Sequence, residues 1–399
     1  MSLRLFGEIV PRAVPVPCAL AEKGFRPFFL LAGLFGILSL FVWLLVLSGG
    51  ARPSGYLDAT YWHAHEMLFG FAVAVIAGFL LTAVGNWTQR ETLTGYPLLA
   101  LAALWVLGRA GLIAAPLLPR GAPAVLDLAF LPVLIVVLAR PLVATGNRRN
   151  FVMPAVLFML FLANLATHLD VLGVAPGFRV RGVLVGVDIV VLVILIIAGR
   201  VFPMFTRNAT GVRSIVSHPV LDGLAIGSMA LLAALDAAVP DSSSTRAVAG
   251  FAGVFAALRT VGWGARYSLR VPLLWILHVG YLWIPIGLLL RAVSLLAPTF
   301  SRSLAIHALT AGAISTLCLG MMSRVALGHT GRLLSVPPTM VASFVLVTLS
   351  ALLRVAGPLV LPNATLAVLV VSGGMWMAAF TLFVFVYAPI LLSPRQPSS

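Results

Sequence analysis

Apolar runs of about 20 residues, the length that crosses ~30 Å of hydrocarbon, recur from one end of the chain to the other. Short loops rich in Arg, Pro and Gly separate them. The pattern predicts twelve helices, at about 28–48, 62–84, 97–115, 122–144, 151–170, 182–204, 218–238, 246–264, 271–293, 303–327, 337–357 and 364–392. The expected fold is all-α, a polytopic bundle of about twelve transmembrane helices.

Composition agrees and narrows the class. Of 399 residues, 61% are hydrophobic and 9% charged, against roughly a quarter charged in soluble domains. No soluble domain fits, so 1–399 reads as a single integral-membrane domain with a short N-terminal segment, 1–27. The net charge of +15 could suggest nucleic acid, but the basic residues are spread through short loops, as orientation signals are. With twelve spans, 17 of the 26 Lys and Arg residues fall on the side of the termini and 9 on the other. Asp58, Asp170, Asp236 and Asp241 lie in the opposite loops. Both termini are therefore expected in the cytoplasm, with the Ser54–Tyr61 and Asp236–Thr245 loops outside and the lipid bilayer as the first partner. Cys18 and Cys318 are the two cysteines and exclude a disulfide framework. Met1–Arg26 lacks the features of a cleavable signal, so the first helix is expected to insert the chain.

Polar residues inside the apolar runs carry the functional information. The second run begins "YWHAHEMLFGF", which puts His63, His65 and Glu66 near the outer end of a greasy helix. His307 follows Arg302 by five residues at the matching end of the tenth helix, and His278 sits near the middle of the ninth. An intramembrane ionisable group is read as functional by default. His168, His218 and His329 fall at helix ends, where interfacial hydrogen bonding suffices.

The second and tenth helices share a spacing. Gly70, Gly78, Thr88 and Arg90 follow His65 at the same offsets at which Gly312, Gly320, Thr330 and Arg332 follow His307. Two imidazoles at one depth, each backed by small residues that let a flat ring approach, could ligate one heme iron. His63 and His65 stand about 200° apart on a helix. Either the helix begins after His63, or the two serve different sites. The second case suits two metals side by side, with iron, copper or zinc on imidazole and Glu66 holding a ring N–H or relaying protons. Asp127 and Asp188 could line a polar vestibule; the simpler expectation pairs them with Arg120 and Arg181. Two polar knots, "GRVFPMFTRNATG" and "RVALGHTGR", place Arg200, Arg207, Asn208, His329 and Arg332 where helices are expected to unwind. Such ends can bind an anion or a propionate, or simply anchor the chain by positive charge.

"KGFRPFFLLAG", "WHAHEMLFGFAVAVIAGFLLTAVGNWTQR", "GRVFPMFTRNATG" and "HALTAGAISTLCLGMMSRVALGHTGR" resemble the NnrS family of bacterial inner-membrane proteins over nearly the whole chain. The resemblance implies twelve spans, heme (b-type) and copper, and a link to nitric oxide and nitrosative stress in denitrifiers and other bacteria. The family's histidine motifs fall on His63, His65, His278, His307 and His329, and its arginine motifs on Arg200, Arg207, Arg324 and Arg332. Gly85 stands where proline is expected.

Three functional classes follow. The first is a heme–copper protein that binds, and in its enzymatic form reduces, nitric oxide. With no CxxCH motif in the chain, its electrons would come from quinol or a separate donor. A transporter without chemistry would show broken helices and an inverted repeat. A sensor or metal-handling factor would carry heme and copper as receptor or cargo.

Overall fold

The computed structural model describes residues 17–51, 55–294 and 301–397. Ser54 and the first sixteen residues of the expected N-terminal segment lie outside them. The described chain is helical, with eleven helices long and apolar enough to cross a membrane. They are α1 (Phe25–Leu47), α2 (Ala59–Thr88), α3 (Gly95–Ile113), α4 (Ala122–Ala144), α5 (Arg148–Val171), α6 (Phe178–Thr210), α7 (Pro219–Ala238), α9 (Pro272–Val293), α10 (Arg302–His329), α11 (Pro338–Val360) and α12 (Pro362–Leu392). The eighth expected span is the shorter α8, Ser243–Leu258, followed by a 3-10 segment, Arg259–Gly262. Its 16 residues rise only about 24 Å at 1.5 Å per residue, less than the hydrocarbon thickness.

Every fourth helix is central. The apolar stretches of α2, α6 and α10 are 89%, 83% and 72% buried within the protein, against 67% for α9 and 44% or less for the other long spans. The outer helices turn their remaining apolar surface to lipid. α1 packs on α2 and on α12, and α6 on α5 and α7. α2, α6 and α10 also touch one another.

α2 and α10 match in structure as well as in spacing. Each begins with an α-helical turn or two that ends at its histidine, His65 or His307, and each then runs seven residues as π-helix, Glu66–Ala72 and Ala308–Ile314. π-Helical turns are rare and collect at functional sites. The glycines at matching offsets do matching work. A Cβ on Gly70 would stand 2.6 Å from the Phe35 ring of α1, and one on Gly312 would stand 2.6 Å from the Trp283 ring of α9. Lower down, Gly78 meets Phe28 and Phe29, while Gly320 meets Ile276 and Leu277. The same pattern of close approach is built twice, by two helices that run parallel, their histidine ends lining one cavity and their C-terminal halves in contact.

The ends of the bundle are tied. Arg26, buried at the start of α1, donates to the carbonyls of Leu391 (2.9 Å) and Ser393 (2.6 Å) and pairs with Glu22 (2.7 Å). The amide of Gln396 donates to the Thr330 carbonyl at 2.9 Å. Both ends of the described chain thus lie on one face of the bundle.

Candidate metal centres

The N-terminus of α2 is set by Asp58, whose carboxylate accepts from the Tyr61 amide at 3.1 Å. The helix is already formed at Ala59, so His63 lies within it and the two histidines diverge. They enter different surroundings.

His65 turns into a buried polar cluster. Its Nδ1 is 2.9 Å from Glu66 Oε1, and its Nε2 is 2.9 Å from Asn164 Oδ1 and 3.3 Å from Asp127 Oδ2. His168 offers Nε2 to the same Asp127 oxygen at 2.8 Å, with its Nδ1 2.9 Å from the Tyr56 hydroxyl. Asn164 donates to Asp127 at 2.7 Å. Arg109 of α3 donates to Glu66 at 2.6 Å and pairs with Asp127. His65, Asp127 and His168 are all buried, and their ligand atoms lie within 4.8 Å of one another. Donors around a metal bonded at about 2.0–2.2 Å stand roughly 3 Å apart; His65 Nε2 and His168 Nε2 lie 3.3 and 2.8 Å from Asp127 Oδ2, so the three residues could hold one ion. The two-nitrogen, one-oxygen set suits copper(II), iron or zinc. Each imidazole has its far nitrogen held by another group, as metal-ligating histidines do. Tyr56, in the loop before α2, has its phenol pushed up to about 12 by burial, so it stays a neutral hydroxyl. The charges also leave room for a cation, because one guanidinium faces two carboxylates.

His63 turns the other way, into a cavity of roughly 370 Å³ that His307 and Arg354 also line. Its ring lies flat on Trp43, centroids 4.5 Å apart and planes 8° from parallel, and its Nδ1 is buried without a hydrogen-bond partner. His307 Nδ1 donates to the Ser303 carbonyl at 2.7 Å, which leaves Nε2 to accept from Arg354 at 3.1 Å. The remaining wall is largely apolar and includes Leu40, Phe71 and Trp376.

The expected pairing of His65 with His307 is therefore exchanged. His63, not His65, shares a cavity with His307, because the rotation of α2 about its axis carries His65 toward α5. Asp127 pairs with Arg109 rather than Arg120, whose guanidinium donates to the Leu172 carbonyl. Asp188 pairs with Arg291 rather than Arg181, which donates to the Ala237 carbonyl. In both cases the carboxylate points inward, where only an arginine from another helix can reach it. His168 is a buried member of the cluster rather than an interfacial residue. Asn164 and His168 are spaced i, i+4 and so share a face of α5; with an inward Asp127 one helix earlier, that spacing was the available signal.

The other expected residues stand apart from both groups. His278 is 3.1 Å from the Thr206 hydroxyl and packs edge-on against Phe202. His329 lies 5.8 Å from the Phe25 ring, centroid to centroid. Arg200 donates to Asn150 and Arg207 to the Ile215 carbonyl, Asn208 is exposed, and Arg324 lies 3.8 Å over the Phe205 ring. Arg332 keeps a buried Nη1 with no hydrogen-bond partner among the described residues. The two knots do not unwind where expected. α6 stays helical through Thr210 and α10 through His329, each stopping at a left-handed glycine, Gly211 (φ +72) or Gly331 (φ +73). These are helix C-termini, which present carbonyls rather than N–H groups, so the backbone there is no anion site.

A family model described as NnrS protein matches residues 19–395 of the chain. No curated protein matches it.

Proposed function

The chain belongs to the NnrS family, and from that premise we propose that it is a heme- and copper-containing protein of the bacterial inner membrane that binds nitric oxide. The observation that carries the reading is the divergence of His63 and His65 from one helix into two different histidine groups.

The cavity is assigned to heme, with His63 and His307 as its ligands. Its wall is largely apolar, His63 Nδ1 lacks a partner, and His307 presents Nε2 with Nδ1 anchored on a carbonyl. Arg354 touches His307 and Ser303 and, among the described residues, no carboxylate, and its guanidinium suits a propionate. The buried cluster is assigned to copper, with His65, His168 and Asp127 as ligands and Glu66, Tyr56 and Asn164 holding them. Bound heme would supply an iron that takes a diatomic ligand once one of the two imidazoles gives way to it. The protein's own part is to fix the imidazoles, exclude water, and balance charge through Arg109 and Arg354. The transporter reading loses ground, because it expects an inverted repeat while α2 and α10 are parallel.

Absorption spectra and metal content of the purified protein, with and without nitric oxide, test the proposal. Heme bands that shift on addition of the gas, with copper present, are expected. Protein expressed with both metals supplied yet containing neither would overturn it. Consumption of nitric oxide beyond one equivalent with a reductant would assign a reductase; one-equivalent binding would assign a receptor.

A further inference from the structure

A second buried knot of charge lies between α6, α7 and α9, apart from both histidine groups. Arg291, in the last turn of α9, donates to Asp188 Oδ1 at 2.8 Å and also pairs with Asp236 Oδ2. Both aspartates are 0% exposed. Their other oxygens, Asp188 Oδ2 and Asp236 Oδ1, are buried with no hydrogen-bond partner. The two carboxyl groups hold the same guanidinium, Asp188 on one terminal nitrogen and Asp236 on the other.

The charges do not balance. One guanidinium faces two carboxylates, which leaves one negative charge in a site closed to water, and an uncompensated charge there is costly. In the His65 cluster the same imbalance has imidazoles beside it; here, among the described residues, no histidine, cysteine or third carboxylate joins the two aspartates. Charged groups on the packed neighbours are engaged elsewhere. Arg181 of α6 donates to the Ala237 carbonyl, Arg246 of α8 to the Asp241 carbonyl, and Arg302 of α10 pairs with the Asp241 carboxylate. On α5, Asp170 meets Arg179, and on α2, Glu66 meets Arg109. None supplies the missing positive charge.

We propose that Asp188 and Asp236 form a proton-binding site, holding one proton between them opposite Arg291 at neutral pH. The proton removes the excess charge and turns two unpartnered acceptors into a donor and an acceptor. One carboxyl is then a neutral acid and the other the partner of Arg291. The assignment does not depend on which histidines hold metal.

Infrared spectroscopy of the full-length protein, carrying a 13C-carboxyl aspartate label, reads the proton directly. A protonated carboxyl C=O band is expected in the wild-type protein at neutral pH, shifting with the label and in D2O. Asp188→Asn and Asp236→Asn should each abolish that band without lowering the unfolding temperature, because the one remaining carboxylate then balances Arg291. The double variant, which strands Arg291, should lose stability. Absence of a labelled acid band in the wild type would overturn the proposal. So would stability that rises with sodium concentration, which would make the occupant a metal cation.

Discussion

His63 lies flat against Trp43, and this stack fixes which way the ring faces. With the indole covering one face of the imidazole, the ring edge is presented to the cavity shared with His307. A stacked aromatic pair contributes about 0.5–1.5 kcal/mol. Trp43→Leu keeps the wall apolar but frees the ring. Heme retention, measured by absorbance per protein on dilution, should fall roughly two- to tenfold, while copper content is unchanged. Unchanged heme retention would remove His63 from the cavity's chemistry.

Glu66 orients His65 without being a ligand in this assignment. Glu66→Gln keeps the shape but weakens the hold on Nδ1, and loss of such a partner costs about 10–100-fold in metal affinity. Copper titration of the purified variant should show that loss with the heme spectrum intact. A change in heme and none in copper would contradict the assignment of the cluster.

Arg109 stands between two buried carboxylates, Glu66 and Asp127. Removing one partner of a buried ion pair costs about 3–5 kcal/mol, because the other charge is left uncompensated. Arg109→Leu should therefore unfold at a markedly lower temperature in detergent. Adding Glu66→Gln should restore part of the loss, since it removes one stranded charge. A double variant no more stable than the single would mean the arginine acts through packing alone.

The sequence made much of the architecture readable, since each span is an apolar run and its length is set by the bilayer. The divergence of His63 and His65 was also readable, because 100° per residue settles relative direction. Absolute rotation was not. Whether His65 or His63 faces α10 depends on how α2 packs against α1, α6 and α10, and no local pattern reports that. Partners across helices were hidden for the same reason. Arg120 is near Asp127 in sequence, yet Arg109 reaches it in space. The knots at Arg207 and Arg332 looked like unwound anion sites because threonine and glycine cluster there, but α6 and α10 continue to a glycine stop.

The repeat carries its own test. Gly70→Ala drives a methyl into Phe35, and Gly312→Ala drives one into Trp283. Overpacking of this kind costs about 1–3 kcal/mol. The two variants should lose similar stability in thermal unfolding. If one glycine tolerates alanine freely, the two helices are not packed alike.

Orientation follows from the basic residues rather than from the fold. Both ends of the described chain share a face, and the arginine-rich loops are proposed to be cytoplasmic. A Ser243→Cys protein with the native cysteines replaced should react with an impermeant thiol reagent added from outside. Labelling only from the cytoplasmic side would invert the bundle.

The most direct measurement compares heme and copper content in four single variants of the purified protein. His63→Ala and His307→Ala should lose the low-spin heme spectrum, or convert it to high spin, while retaining copper. His65→Ala and His168→Ala should lose copper while retaining the heme spectrum. Loss of heme in His65→Ala with heme intact in His63→Ala would contradict the account, and would put the iron in the cluster built around Asp127.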